Sequence, residues 1–329
     1  MTLVAGLLEA FFTDRLQRQR NASPNTVAAY RDTFRLLLVF AQARIRKPPS
    51  ALPLAALDAP LIAAFLQHLE SERRNSVRTR NARLAAIHSF FKFVALEEPA
   101  HSAMCQRVLA IPVKKAERKL VTWLDRSEQE ALLAAPDRTT WLGRRDHAII
   151  ALLFQTGLRV SELRGLRRED IVLSTGAHVR CRGKGRKERC TPLTRQVVAV
   201  LRAWLAERAG QPHEPAFPTR RGSTLSRDAV ERLIAKHTAV TSVKCRSLSK
   251  KHVTPHVLRH TTAVTLLQAG NDRAVIALWL GHESIETTQM YLDADLSMKE
   301  RALARTAPLR AGPARYQPED GVLAFLTAL

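Results

Sequence analysis

Residues 170–193 read DIVLSTGAHVRCRGKGRKERCTPL, a strand-like stretch in a chain otherwise patterned for helices. The runs "DIVL", "AHVRCRG" and "KERCTPL" have the length and β-branched content of short strands, and "GKGRK" has the composition of a turn. Helical periodicity flanks them, at 125–134 and 145–156 before, and at 194–209, 226–240, 255–269, 272–280 and 284–293 after. The second half of the chain is therefore expected to be mostly helical with one small antiparallel sheet.

The first hundred residues read as helices with short joints. In SPNTVAAYRDTFRLLLVFAQ, Ser23 is the N-cap and Pro24 the first helical residue, with Val27, Tyr30, Phe34, Leu37, Leu38 and Ala41 on one stripe. Asp58 and Pro60 repeat the signal. A third helix puts Leu84, Ile87, Phe91 and Val94 inward and crowds Arg78, Arg80 and Arg83 near its start. With residues 3–18 this predicts an all-α N-terminal domain over 1–110. A charged, Pro-interrupted linker follows at 111–120, then a second domain over 121–300 and a tail over 301–329. The tail ends with Val322, Leu323, Phe325, Leu326 and Leu329 at helical spacing, which suits packing on its own core or docking in a neighbouring copy.

Composition narrows the function. Of 329 residues, 52 are Lys or Arg against 30 Asp or Glu, a net charge of +22 that favours a polyanion, nucleic acid first. The basic residues are spread along the chain, which suits a folded surface around a duplex better than a basic arm. Apolar runs such as "AIIALLF" are too short to span a bilayer, and the N-terminus carries Glu9 and Asp14 where a secretory signal would be basic. A cytoplasmic protein with no membrane partner is expected. The four cysteines form no CxxC pair. Cys181 and Cys190 flank the hairpin and could face each other, but read as small strand residues.

Four places in the second half carry side chains suited to one chemistry. In QTGLRVSELRGL, Arg159 follows a Gly157 that should end or kink a helix, and Glu162 can meet it if the chain turns helical again. In RGKGRKER, Lys184 sits at a hairpin turn, with Arg186 and Lys187 beside it, where Gly183 and Gly185 permit close approach. In TPHVLRHT, Pro255 opens a helix, so His256 and Arg259 share one face near its N-terminus. In LGHESIETTQMY, His282 lies at a turn and Tyr291 on the next helix, in a chain with three tyrosines.

Singly, each has a plain structural explanation: a surface ion pair, an ordinary hairpin, a packing tyrosine. His256 and His260 have a zinc-site spacing, but no Glu follows His256 and no third ligand suggests itself, so no metal is expected. Together they match a need. A phosphodiester under attack gathers charge on its nonbridging oxygens, which two arginine forks and neutral histidine donors can hold without a metal. Tyrosine, with a pKa near 10, needs about 4 kcal/mol to ionise at pH 7, so a base or cationic field is required.

Arg159-Val-Ser-Glu162-Leu, the Lys184 hairpin, His256-Val-Leu-Arg259-His260, Gly281-His282 and Tyr291 resemble, in this order, the tyrosine recombinases or phage-integrase family. The wording is nearest the Xer-like and transposon-borne bacterial branch, strongly over 122 to about 295 and more loosely over the N-terminal helices. The resemblance implies the tyrosine recombinase catalytic fold and a helical DNA-binding domain. It implies that Arg159 and Arg259 clamp the scissile phosphate, Glu162 orients Arg159, Lys184 protonates the leaving 5′ oxygen, His256 assists proton transfer and His282 hydrogen-bonds the phosphate. Tyr291 would then form a 3′-phosphotyrosine, with neither cofactor nor ATP. Arg78, Arg80, Arg83, Arg186 and Lys187 are the expected DNA-binding residues. Expected partners are double-stranded DNA and other copies in a tetramer on DNA; whether a second recombinase or an accessory protein is required stays open. The alternatives are a catalytically silent DNA-binding regulator of the same fold and a type IB topoisomerase-like enzyme that cleaves without exchange. Residues 241–252 fit no compact connection, and a DNA-facing loop is one reading of them.

Overall fold

The computed structural model describes residues 2–117, 121–183, 188–207 and 210–281. Lys184, Arg186, Lys187, His282, Tyr291, the helix expected at 284–293 and the tail from 301 lie outside the described residues. The chain divides into two compact units, Met1–Arg118 and Lys119–Leu329.

The first unit is all helical. Helix α1 (Val4–Ala10) runs on into a π-type segment, Phe11–Gln19, and is followed by α2 (Pro24–Ile45), α3 (Ala59–Ser71), α4 (Val77–Glu97) and α5 (Ser102–Leu109). The starts are fixed by side-chain caps: Ser23 accepts from the Thr26 amide at 3.2 Å, Asp58 from Leu61 at 2.9 Å and Ser76 from Thr79 at 3.2 Å. The stripe Leu84, Ile87, Phe91, Val94 is fully buried, in a core that also holds Phe11, Phe34, Phe65 and Phe90. Tyr30 lies parallel to Phe11, ring centroids 6.3 Å apart, so it packs as its apolar stripe implied.

Helix α5 was not legible. Its two turns are too short to show a period, and it exists because Met104, Cys105 and Val108 are buried against α4 and α3. Arg80 is more enclosed than its place among exposed basic residues suggested. Only 5% exposed, it donates to the Pro112 carbonyl at 2.9 Å and to Asn81 Oδ1 at 3.0 Å, so its guanidinium is engaged inside the unit. Asn81 in turn holds Lys114, so the first residues of the expected linker are fastened to α4. Arg78 is exposed; Arg83 is half-buried, and burial, reinforced by the Arg73 charge, lowers its pKa.

The second unit comprises α6 (Arg126–Ala134), α7 (Trp141–Thr156), α8 (Val160–Gly165), strands β1 (Ile171–Val172), β2 (His178–Arg182) and β3 (Glu188–Pro192), then α9 (Arg195–Ala206), α10 (Arg227–Ser242), α11 (Pro255–Gln268) and α12 (Arg273–Leu280). Helix α7 carries the run Ala148–Leu153, buried on all sides by α6, α9 and α11, as a helix apolar around its circumference must be. The strands form one antiparallel sheet in the order β1-β2-β3. The molecule is thus mainly helical with one small sheet, the fold class the sequence implied.

The register decides which strand residues face inward. Cys181 pairs with Arg189 and Arg180 with Cys190, so Cys181 and Cys190 point to opposite faces and remain free thiols. Val179, Cys181 and Thr191 are buried on the inner face. Residues 241–252 are strapped down. The fully buried Glu128 accepts from Ser247 Oγ and from Lys251 Nζ, each at 2.6 Å, and Leu248 is buried, leaving Lys244, Arg246 and Lys250 exposed. A second interior carboxylate, Asp146, is satisfied by Arg145 at 2.8 Å and by His237 at 3.0 Å, as a buried charge requires. Among the described residues no helix is long and apolar enough to cross a membrane.

Candidate active site

Two helix ends meet to build the site. Gly157 closes α7 and Gly281 closes α12, both left-handed, at φ +60° and +64°. Glycine is needed for space as well as conformation: a Cβ on Gly157 would sit 2.5 Å from Leu280 Cδ2, and one on Gly281 would sit 2.9 Å from Arg189 Nη1. Helix ends expose carbonyls without intrahelical partners, carrying partial negative charge. Here three arginines supply the donors. Arg259 donates from Nη1 to the Gly157 carbonyl and from Nη2 to that of Leu280, both at 2.6 Å. Arg159 Nη2 donates to the Gly281 carbonyl at 3.0 Å, and Arg189 Nε to that of Trp279 at 3.1 Å.

Glu162 joins two of these arginines. It stands in the first turn of α8, where Oε2 accepts from the Arg159 backbone amide at 2.7 Å and Oε1 from Arg159 Nη1 at 2.8 Å. From the inner face of β3, Arg189 donates to Oε1 at 2.8 Å and to Oε2 at 2.9 Å in the fork geometry that suits a carboxylate. Glu162 is 4% exposed. Burial by itself raises its pKa, but the Arg189 hydrogen bonds and charge, followed by the Arg159 amide and charge, outweigh it, and the carboxyl is held below its ordinary value. Cys181, beside this pair, is pushed up to about 11 by burial first of all, so its thiol stays protonated.

His256 and Arg259 share a face of α11, whose start is fixed by Thr254 as cap and Pro255 in the first turn. The His256 ring packs edge-on against His260, centroids 4.3 Å apart. Desolvation of the ring, then the charges of Arg259 and Arg159, lower its pKa and favour neutral imidazole. Arg159, Glu162, Arg259 and His256 are therefore brought together, with consecutive carbonyls of α12 holding the two arginines and residue 282 next in the chain.

The α7 end carries a stability prediction. Gly157→Ala is expected to cost about 1–3 kcal/mol, from the left-handed backbone and from contact with buried Leu280. Gly176 has a similar φ of +74° but open space around it, so Gly176→Ala should cost less. Equal losses in urea unfolding would show that the α7–α12 contact does not matter.

The phage integrase family model matches residues 122–298. The chain belongs to the phage integrase family. Its residues 10–98 match the N-terminal SAM-like domain of phage integrases. A putative integrase/recombinase of Sinorhizobium fredii, y4rC, is 57% identical over 99% of this chain and 98% of that protein. The tyrosine recombinase XerC of Pelobacter propionicus is 34% identical over 94% of this chain and 97% of its own. Among solved structures, XerH bound to palindromic difH substrate in a post-cleavage complex aligns with a TM-score of 0.69 at 24% identity, over 87% of this chain and 81% of that one. The Tn1549 transposon integrase in complex with circular intermediate DNA aligns at 0.68 and 18% identity, over 92% and 100%. At these identities the likeness to the solved structures is one of fold.

Sequence reading of this tyrosine recombinase missed Arg189 and the carbonyls that end α12. The signal for Arg189 was present: alternation along ERCTP places Arg189 on the same face as the buried Thr191. A charge at an inward strand position implies a buried partner. Its partner, Glu162, is 27 residues away, which no local pattern reveals.

Proposed function

We propose that this tyrosine recombinase cleaves and rejoins double-stranded DNA at specific sites through a 3′-phosphotyrosine. The observation that carries the reading is the convergence of Arg159 and Arg259 on the end of α12, with neutral His256 alongside. Two guanidinium groups in one partly buried place, each fixed by protein acceptors, form a preorganised cradle for the charge of a pentacoordinate phosphorus. Tyr291 Oη attacks the phosphorus as the P–O5′ bond breaks, and Lys184 gives the 5′ oxygen its proton. His256 accepts the tyrosine proton and His282 donates to a nonbridging oxygen. Attack by the 5′ hydroxyl of a second end reverses the step, so the bond energy is conserved in the protein–DNA linkage.

DNA as the partner is supported by the charge of +22 and by solved neighbours that are bound to DNA. Arg78, Arg83, Arg186 and Lys187 are proposed to contact phosphates. A tetramer bridging two sites would carry the exchange.

The test is covalent trapping on a nicked half-site, using a duplex that the wild-type protein selects from a random pool by specific retention. The wild type is expected to give a denaturant-resistant protein–DNA band and Tyr291→Phe none, with retention of the duplex unchanged. A band that persists in Tyr291→Phe would remove Tyr291 as nucleophile. Tight specific retention with no band from the wild type would leave a DNA-binding regulator as the better reading. Exchange between two sites, as against relaxation of supercoiled DNA alone, separates a recombinase from a topoisomerase-like enzyme.

A further inference from the structure

We propose that Arg189 is a positioning residue of the recombinase site, fixing the Arg159 guanidinium through Glu162 and tying β3 to the end of α12 through the Trp279 carbonyl. The inference rests on the cleavage reading given above and adds a residue to it.

Three observations carry the assignment. The first is orientation: the register sets Arg189 opposite buried Cys181, so its side chain runs inward and is 11% exposed, although the residues on either side of it are exposed. The second is saturation. Both Glu162 oxygens accept from Arg189, at 2.8 and 2.9 Å, and both accept from Arg159, at 2.8 Å from the side chain and 2.7 Å from the amide. A carboxylate held by a fork on one side presents its remaining lone pairs to Arg159 in one orientation only. The third is reach. Arg189 Nε donates to the Trp279 carbonyl at 3.1 Å, and its guanidinium lies so near Gly281 that a Cβ there would be 2.9 Å from Nη1. One side chain thus links the strand that follows Lys184 to the helix end that precedes His282. A shift of either element changes where Arg159 sits.

A lysine could neutralise Glu162 but could not bond both of its oxygens and the Trp279 carbonyl together. The charged and titratable groups around Glu162 are Arg159 on its own helix start and Arg189 and Cys181 from the sheet, with Arg167, Glu169, Asp170, Arg180 and Glu188 lining the same cleft. Without Arg189, Glu162 stays buried with Arg159 alone and ionises less readily.

The experiment measures single-turnover adduct formation on the selected nicked half-site across pH for wild type, Arg189→Gln, Arg189→Lys, Glu162→Gln and the Arg189→Gln/Glu162→Gln pair. Thermal unfolding establishes that each is folded at the assay temperature. Arg189→Gln is expected to retain the duplex like wild type but to form adduct about 100-fold more slowly, the scale of a small misplacement at a reacting centre. It should gain an acid limb additional to the one that protonation of the base His256 imposes on every variant, because protonation of Glu162 then releases Arg159. The additional limb should vanish in the pair, whose rate should be no lower than that of the slower single variant. Arg189→Lys should recover part of the rate. Wild-type rate and pH profile in folded Arg189→Gln or Arg189→Lys, or losses that multiply in the pair, would overturn the assignment. If the wild type itself forms no adduct, the cleavage reading fails and this inference fails with it, an outcome distinct from a competent wild type with indifferent Arg189 variants.

Discussion

Glu162→Ala is expected to lower stability by about 3–5 kcal/mol, the largest single loss foreseen in the second unit. Its side chain is 1% exposed and neutralises two arginines, of which Arg189 is 11% exposed and Arg159 is open to solvent on one side. Removing it leaves Arg189, itself well buried, with its charge unopposed, and frees the Arg159 amide that Glu162 caps. The pH dependence follows from the direction of the shift. The folded carboxyl lies below its unfolded value of about 4.3. Its contribution is therefore complete above the unfolded pKa and is lost as pH falls through the folded one. Urea unfolding of wild type and Glu162→Gln should differ by a constant amount above the unfolded pKa and converge as pH falls from there through the folded one. A gap that does not shrink as pH is lowered through the acid range below the unfolded pKa would mean that the carboxylate charge is not what holds the pair.

Arg259→Lys is expected to slow adduct formation by about 100- to 1,000-fold, the usual effect of losing one donor to a developing oxyanion. Arg259 is 3% exposed, and its two terminal nitrogens span the ends of α7 and α12 by bonding the Gly157 and Leu280 carbonyls. A lysine ammonium is a point charge on a flexible stem and cannot bridge both carbonyls while presenting a flat edge to a phosphate. A smaller stability loss, about 1–3 kcal/mol, accompanies it from the carbonyl left unpaired. The two effects separate by measurement: duplex retention and the unfolding midpoint report the structural part, and single-turnover adduct formation reports the chemistry. A rate within a few-fold of wild type would show that Arg259 serves only to join the helices.

The candidate site residues were more legible than their support. Arg159, Glu162, His256 and Arg259 could be picked out because their spacing on short helical stretches is local. Arg159 and Glu162 do meet at 2.8 Å, as the i, i+3 spacing allowed. Two helix starts were legible for the same reason: Ser23 and Asp58 cap within their own first turns. Where a side chain acts across the fold, local pattern was silent. Arg80 looked like one of three basic residues at a helix start and is instead bonded to Pro112, 32 residues away. The segment 241–252 looked like a loose basic loop and is fastened by Glu128, more than a hundred residues earlier.

Periodicity, caps and the alternation around 170–193 determined by themselves that the chain folds into helices with one small antiparallel sheet, since each of those signals acts within a few residues. Motif order indicated the family. Only the tertiary structure decided that the ends of α7 and α12 meet, that their carbonyls are held by Arg159, Arg189 and Arg259, and that Glu162 locks two of those arginines together. Those contacts join residues far apart in sequence, and their partners are backbone carbonyls, which every residue possesses and no sequence pattern marks.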